Sequence, residues 1–96
     1  MKLLITHTLP PGITREQVTG FARITQTDPN VKGLCSYVNL SQRKATCVFE
    51  APSREHLARW MDDHQMPYDE IWPVELEGQS GEFHEVPTPV CACAGD

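Results

Sequence analysis

Residues 31–50, VKGLCSYVNLSQRKATCVFE, form the stretch that decides the fold. Apolar and aromatic residues recur through residues 31–40, which is typical of a β-strand. Residues 44–50 have the composition of a return strand. Ser41-Gln42 lies where a two-residue turn would join the two strands, although it lacks the Asn-Gly chemistry that favours tight hairpins. The sequence therefore predicts a β-hairpin in the middle of the chain.

A strand and a helix are predicted before this hairpin. Residues 2–8 have the length and composition of a strand, and Pro10-Pro11-Gly12 ends it. Thr14 and Gln17 have the spacing of a capping box, which indicates a helix start. Asp28-Pro29-Asn30 ends the helical pattern. The apolar residues at helical spacing are Val18, Phe21, Ala22 and Ile24.

A second helix and a last strand are predicted after the hairpin. Ala51-Pro52 breaks the preceding strand, and Ser53 is suited to cap a helix. The helix closes at residues 64–67, and residues 69–76 form the last strand. The apolar stripe of the helix consists of Leu57, Ala58, Trp60 and Met61.

The order strand, helix, strand, strand, helix, strand predicts an α+β fold. Two right-handed strand–helix–strand units in this order give a four-stranded antiparallel sheet with both helices on one face, the ferredoxin-like βαββαβ plait. Such a plait leaves the other sheet face open. In a chain this small, a second copy commonly covers that face, so we expect a homodimer.

Charge divides the 96 residues into a domain and a tail. The chain has 13 acidic and 8 basic residues and a net charge of −5. Residues 1–74 contain eight of each sign, whereas residues 75–96 contain five acidic residues and no Lys or Arg. The sequence thus predicts a ferredoxin-like domain over residues 1–76 and an acidic, cysteine-containing tail over residues 77–96.

The same composition bounds the partners and the compartment. Neither nucleic acid nor a membrane is expected as a partner, because both recruit proteins through basic surfaces. The longest apolar run near the start, Leu3 to Ile5, is too short for a signal peptide or a membrane helix, so the expected location is cytoplasmic. Cysteines in that compartment are thiols, either packed or bound to metal.

Histidine and cysteine residues are the candidates for chemistry. His7 lies near the end of the first strand, Cys47 in the third, and His64 at the end of the second helix. The first and third strands are neighbours in the plait, and the second helix returns toward the start of the third. Imidazole nitrogen and thiolate suit nickel, zinc or copper. Each residue also has a simpler interpretation: a solvated histidine, a buried small apolar residue and a helix C-terminal cation.

Strand parity limits this site. With the Ser41-Gln42 turn, Cys47 faces the same side as Ser36, and Tyr37 and Glu50 face the other.

In the tail, Cys91 and Cys93 form a C-x-C pair. Together with Glu82, His84 and Glu85, they form either a second cation site or only a soluble end.

Two segments resemble a known family. Residues 47–52, CVFEAP, and residues 64–74, HQMPYDEIWPV, are similar to the bacterial domain-of-unknown-function family DUF4242, and the resemblance spans about residues 3–76. It implies a nickel-binding, ferredoxin-like homodimer. Many members have histidine, cysteine and histidine at the positions of His7, Cys47 and His64. Some also have a histidine in the first helix, where this chain has no histidine.

Three functions remain open from the sequence. The first is a small cytoplasmic metal-binding protein that acts as a dimer, for which the sequence does not decide whether it is an enzyme. Its cofactor would be nickel, or zinc or copper, with His7, Cys47 and His64 as ligands and Glu50 and Tyr37 as supporting or alternative donors. The second is a small dimeric enzyme that uses a Cys/His site on the open sheet face, with Cys47 as nucleophile or redox thiol. The third is a non-catalytic interaction module.

Overall fold

The computed structural model describes residues 1–87. Within them, the chain forms β1 (Lys2–Thr8), α1 (Arg15–Ile24), β2 (Lys32–Asn39), β3 (Lys44–Glu50), α2 (Arg54–Asp63), β4 (Glu70–Pro73), β5 (Leu76–Gln79) and β6 (Glu82–Glu85). The order up to β4 is the predicted one. Cys91 and Cys93 lie outside the described residues.

Strands β1 to β4 form an antiparallel sheet in the order β2-β3-β1-β4. The predicted α+β class is therefore confirmed, with two helices and a four-stranded sheet. Ser36 pairs with Cys47 and Asn39 with Lys44, which is the register that the predicted turn requires. The pairing shifts between Gly33 and Cys35, where a β-bulge interrupts it.

One face of this sheet, called here the inner face, carries the core. Leu3 and Ile5 of β1, Phe49 of β3 and Ile71 of β4 are buried on it. Helix α2 packs against these side chains. It contributes Leu57, Trp60 and Met61 to the same buried cluster.

Helix α2 forms where Ser53 supplies a cap. The Ser53 hydroxyl accepts a hydrogen bond from the backbone N–H of His56 at 3.0 Å, which satisfies one of the free donors of the first turn. The helix ends at Asp63, and Gln65 follows with a φ of 56°. Left-handed backbone of this kind commonly closes a helix.

Helix α1 begins at the predicted capping box but ends earlier than predicted. Gln17 N–H donates to Thr14 Oγ1 at 3.2 Å, and Thr14 N–H donates to Gln17 Oε1 at 2.8 Å. The helix ends at Ile24, and the chain then forms turns up to the Asp28-Pro29 segment. None of its residues is buried.

The opposite face of the sheet, called here the outer face, bears no helix within residues 1–87. Cys35, Val48, Leu4 and Trp72 are paired in register and form a row across all four strands of this face. Cys35 and Trp72 are exposed, whereas Leu4 and Val48 are half-buried. An apolar row therefore crosses a sheet face that no helix covers.

A second hairpin, β5–β6, was not predicted. Strand β4 ends at Pro73 rather than at residue 76, and Val74 N–H makes one further backbone bond, to the Lys2 carbonyl oxygen at 3.0 Å. Ser80 and Gly81 then both adopt positive φ, at 54° and 84°, which defines a tight hairpin turn. Lys2 Nζ contacts both carboxylate oxygens of Glu77, at 2.9 and 3.1 Å, and ties the hairpin to β1.

The helices of residues 1–87 are short: both contain 10 residues. None of these helices is long and apolar enough to cross a membrane.

Candidate functional site

A cavity of about 680 Å³ lies between helix α1 and the inner face of the sheet. Val18 and Phe21 of α1 line one side, and His7, Ala45 and Cys47 of the central strands line the other. Small-molecule sites in proteins occupy roughly 300–1000 Å³, so the cavity has the size of a ligand site.

His7 lies at the edge of this cavity with one ring nitrogen already bound. Its Nδ1 is 2.9 Å from the carbonyl oxygen of Pro67, in the loop that follows α2. A carbonyl oxygen only accepts, so Nδ1 carries the proton and donates. In the neutral ring Nε2 then keeps its lone pair. Metal-binding histidines commonly make this bond to a backbone carbonyl, because it fixes the ring and the tautomer.

Cys47 lines the same cavity and is half-buried. It pairs with Ile5 on one side and with Ser36 on the other, and it packs against the core cluster. Burial raises the pKa of the Cys47 thiol, and a hydrogen bond from Ser36 offsets this only in part. Cys47 is therefore a neutral thiol near pH 7 when no metal is bound.

The register brings His7 and Cys47 together. His7 pairs with Ala45, two residues along β3 from Cys47, so both side chains project from the same face on adjacent strands. This arrangement confirms the parity prediction that placed Cys47 with Ser36. It corrects the enzyme hypothesis in one respect, because the Cys/His pair lies on the helix-covered face rather than on the open face.

The other three predicted ligands lie elsewhere. His64 Nδ1 donates to the carbonyl oxygen of Trp60 at 2.9 Å, and the His64 ring stacks on the Trp60 indole with centroids 4.1 Å apart. Glu50 lies on the outer face, 3.7 Å from the amino terminus, and Tyr37 is 73% exposed on that face. The structure therefore does not bring His64, Glu50 or Tyr37 to His7 and Cys47.

The donors at the cavity fit a divalent transition metal in kind but not in number. Imidazole nitrogen and thiolate are ligands for nickel, zinc and copper. Within residues 1–87, however, no three His, Cys, Asp or Glu side chains lie close enough together to hold an ion. One chain supplies two protein ligands, and water or a second molecule would have to complete the coordination.

Two arginines at the cavity were not singled out from the sequence. Arg23, in the last turn of α1, and Arg43, in the turn between β2 and β3, both line it. The position of Arg23 beside the apolar stripe of an amphipathic helix was an available signal. The sequence gives no signal for the Pro67 carbonyl that orients His7, because it is a backbone group 60 residues away in the sequence.

The fold and the site define a small α+β protein with a histidine and a cysteine facing a cavity beneath its first helix. Residues 3–74 match the family described as "Nickel responsive protein SCO4226-like". This match covers most of the chain, and the protein belongs to that family. No curated protein and no solved structure gives a significant match.

Proposed function

We propose that this protein binds nickel, with His7 and Cys47 as ligands at the cavity, and that it acts as a ferredoxin-like homodimer in the cytoplasm. The description of its family as nickel responsive supports the choice of metal. The proposal rests on the observation that the two donors project from the same face of the sheet on adjacent strands. His7 is already oriented by Pro67, and Cys47 lies on the adjacent strand.

Each ligand has a defined role in this proposal. His7 would donate its Nε2 lone pair without moving, because Nδ1 is held by the Pro67 carbonyl. Cys47 would bind as the thiolate, so metal binding displaces its proton. Since burial raises the pKa of Cys47, the apparent affinity falls as the pH is lowered. Zinc and copper bind the same donor types and are the competing metals.

The dimer is proposed from the outer face. The row formed by Cys35, Val48, Leu4 and Trp72 is largely apolar, and no helix within residues 1–87 covers it. Burying such a row against a second copy would remove apolar surface from water. The strand order β2-β3-β1-β4 supports the proposed ferredoxin-like plait, in which this face would be free to pair.

Metal binding is tested with the tag-free full-length protein. Calorimetric titration with Ni²⁺, followed by elemental analysis, should give roughly one ion per chain, and His7→Ala combined with Cys47→Ser should abolish binding. His56→Ala is a matched control that changes a histidine away from the cavity, and Cys35→Ser tests the other cysteine that lines it. His64→Ala, Glu50→Gln and Tyr37→Phe test the remaining predicted ligands in the same assay.

Two results would contradict the metal site. One is unchanged stoichiometry in the His7→Ala, Cys47→Ser protein. The other is loss of binding in Cys91→Ser, Cys93→Ser protein with His7 and Cys47 intact, because the ion would then belong to the tail.

The dimer is tested separately by light scattering on the eluted protein. Trp72→Glu places a charge in the outer-face row and should yield monomers, whereas Glu70→Gln on the same strand should not. A wild-type chain that is monomeric at concentrations up to about 100 μM would refute the dimer.

A further inference from the structure

The cavity beneath α1 has apolar walls that the fold leaves partly open to solvent. Phe21 on α1 is 41% exposed, and Leu34 and Val38 on β2 are 47% and 39% exposed. All three line the cavity. Cores of folded proteins are close-packed, so an apolar helix and an apolar strand that face a common space without filling it form a binding cleft rather than a core.

The charged lining of this cavity has a single sign. Arg23 and Arg43 line it, and no Asp or Glu among residues 1–87 does. The chain as a whole carries 13 acidic residues against 8 basic ones, so a lining with cations alone departs from the general charge balance. Neither arginine takes part in a salt bridge within residues 1–87.

Arg43 is oriented by the backbone. Its Nε donates to the carbonyl oxygen of Leu9 at 2.9 Å, and the N–H of Leu9 donates to the carbonyl oxygen of Arg43 at 2.8 Å. The bond from Nε fixes one side of the guanidinium group, and the bond from Leu9 N–H holds the Arg43 backbone beside it. The donors on its two terminal nitrogens make no hydrogen bond within residues 1–87 and are suited to a planar carboxylate.

We propose that the cavity binds a small organic acid, a molecule with an extended apolar body and one carboxylate. The apolar body would lie between α1 and β2 against Phe21, Leu34 and Val38. The carboxylate would be held by Arg23 or Arg43 at the margin. This site uses neither the His7 ring nor the Cys47 thiol, so it stands independently of the nickel proposal.

Decanoate and decan-1-ol serve as probes, because they share a chain and differ in charge. Binding to the full-length protein is followed by NMR chemical-shift titration in EDTA, which removes metal-mediated contacts with the carboxylate. We expect decanoate to bind roughly tenfold more tightly than the alcohol, since one charge-assisted hydrogen bond accounts for a difference of that size. The shifted amides should lie on α1 and β2.

Variants of the two arginines separate charge from packing. Arg23→Gln with Arg43→Gln should bring the affinity for decanoate down to that for decan-1-ol while leaving the alcohol unaffected. The unchanged alcohol affinity shows that the cavity is intact. Arg59→Gln, the same change on α2 outside the cavity, should preserve the preference. Ala22→Trp, which fills the cavity, should weaken both probes.

Four results would overturn the proposal. They are the absence of decanoate binding, equal affinities for acid and alcohol in the wild type, shifts confined to the outer face, and a preference that persists in the double arginine variant. Decanoate binding that appears only when Ni²⁺ is added would also overturn it, because the carboxylate would then be a metal ligand. A negative decanoate titration would not contradict the nickel site, and a negative nickel titration would not contradict the decanoate site.

Discussion

Helices α1 and α2 are both ten residues long, and both begin at a hydroxyl-bearing cap residue, but they meet the sheet differently. Helix α2 buries Leu57, Trp60 and Met61 in the core, whereas α1 buries none of its own residues. The space that α1 leaves against the sheet is the cavity of about 680 Å³. Helix α2 therefore supplies the buried helical side chains of the core, although its Met61 also reaches the cavity, and helix α1 forms the opposite wall.

This division places the candidate chemistry beneath the less tightly packed helix. His7 and Cys47 line the cavity beneath α1, while Leu3 and Ile5, on β1, lie in the buried cluster with α2. Segments with few buried apolar contacts open at lower free energy than the global core. We therefore expect local opening of α1 to require less free energy than opening of the core.

The largest expected effect is the contrast between core truncations in the two helices. Leu57→Ala in α2 should lower the free energy of unfolding by about 2–5 kcal/mol, because Leu57 is fully buried and its removal leaves a cavity. Val18→Ala in α1 should cost less than about 1 kcal/mol, since Val18 is only half-buried and already faces open space. Urea unfolding measures both, and equal costs would refute the distinction between the helices.

The next effect concerns the close approach between the end of α1 and β2. A Cβ added at Gly33 would lie 2.5 Å from Thr25 Oγ1 and 3.0 Å from Thr25 Cβ. Thr25 is buried and its hydroxyl donates to the Ala22 carbonyl oxygen at 2.6 Å, so it has little freedom to move. Gly33→Ala should therefore cost about 1–3 kcal/mol.

A control of opposite sign exists within α1. A Cβ at Gly20 would meet nothing within 4 Å. Gly20→Ala should stabilise the protein by about 0.5–1 kcal/mol through helix propensity. If both glycine variants change the urea midpoint in the same direction, the contact with Thr25 does not hold the helix end in place.

The features that the sequence could predict are those set by local chemistry. The register of β2 and β3 follows from the position of Ser41-Gln42, and both helix starts follow from Thr14 and Ser53. The hairpin β5–β6 had a local signal in Ser80-Gly81, but the surrounding acidic residues favoured a tail.

The features that it could not predict depend on contacts distant in sequence. The apolar stripe of α1 predicts a packed helix, and only the tertiary structure reveals that Val18 and Phe21 border a cavity. His64 looks like a ligand beside His7 in a schematic plait, yet it stacks on Trp60, one turn earlier in its own helix. Strand pairing brought His7 and Cys47 together, whereas side-chain orientation kept His64 away.

A smaller effect is expected from the helix caps. Thr14→Ala and Ser53→Ala each remove one hydroxyl acceptor at a helix start. Each should therefore lower the free energy of unfolding by about 1 kcal/mol. Hydrogen exchange should separate them, because the α1 amides open locally while the α2 amides are held by the core. We expect Thr14→Ala to speed exchange throughout α1, and Ser53→Ala to affect only the first turn of α2. Similar patterns in the two helices would argue against an independently opening α1.

The smallest expected effect concerns the anchor of the β5–β6 hairpin, a region away from both helices. The Lys2 ammonium group lowers the pKa of the Glu77 carboxyl below its ordinary value. A carboxylate with a lowered folded-state pKa stabilises the fold fully above its ordinary pKa, and this contribution disappears as the pH falls through the lowered value.

Carbon-13 NMR titration should therefore show Glu77 losing its charge at a lower pH than in Lys2→Gln protein. Because the pair is solvent-accessible, 1 M salt should reduce the difference. A Glu77 titration that is identical in the two proteins at low salt would mean that the Lys2 side chain does not hold the hairpin in place beside β1.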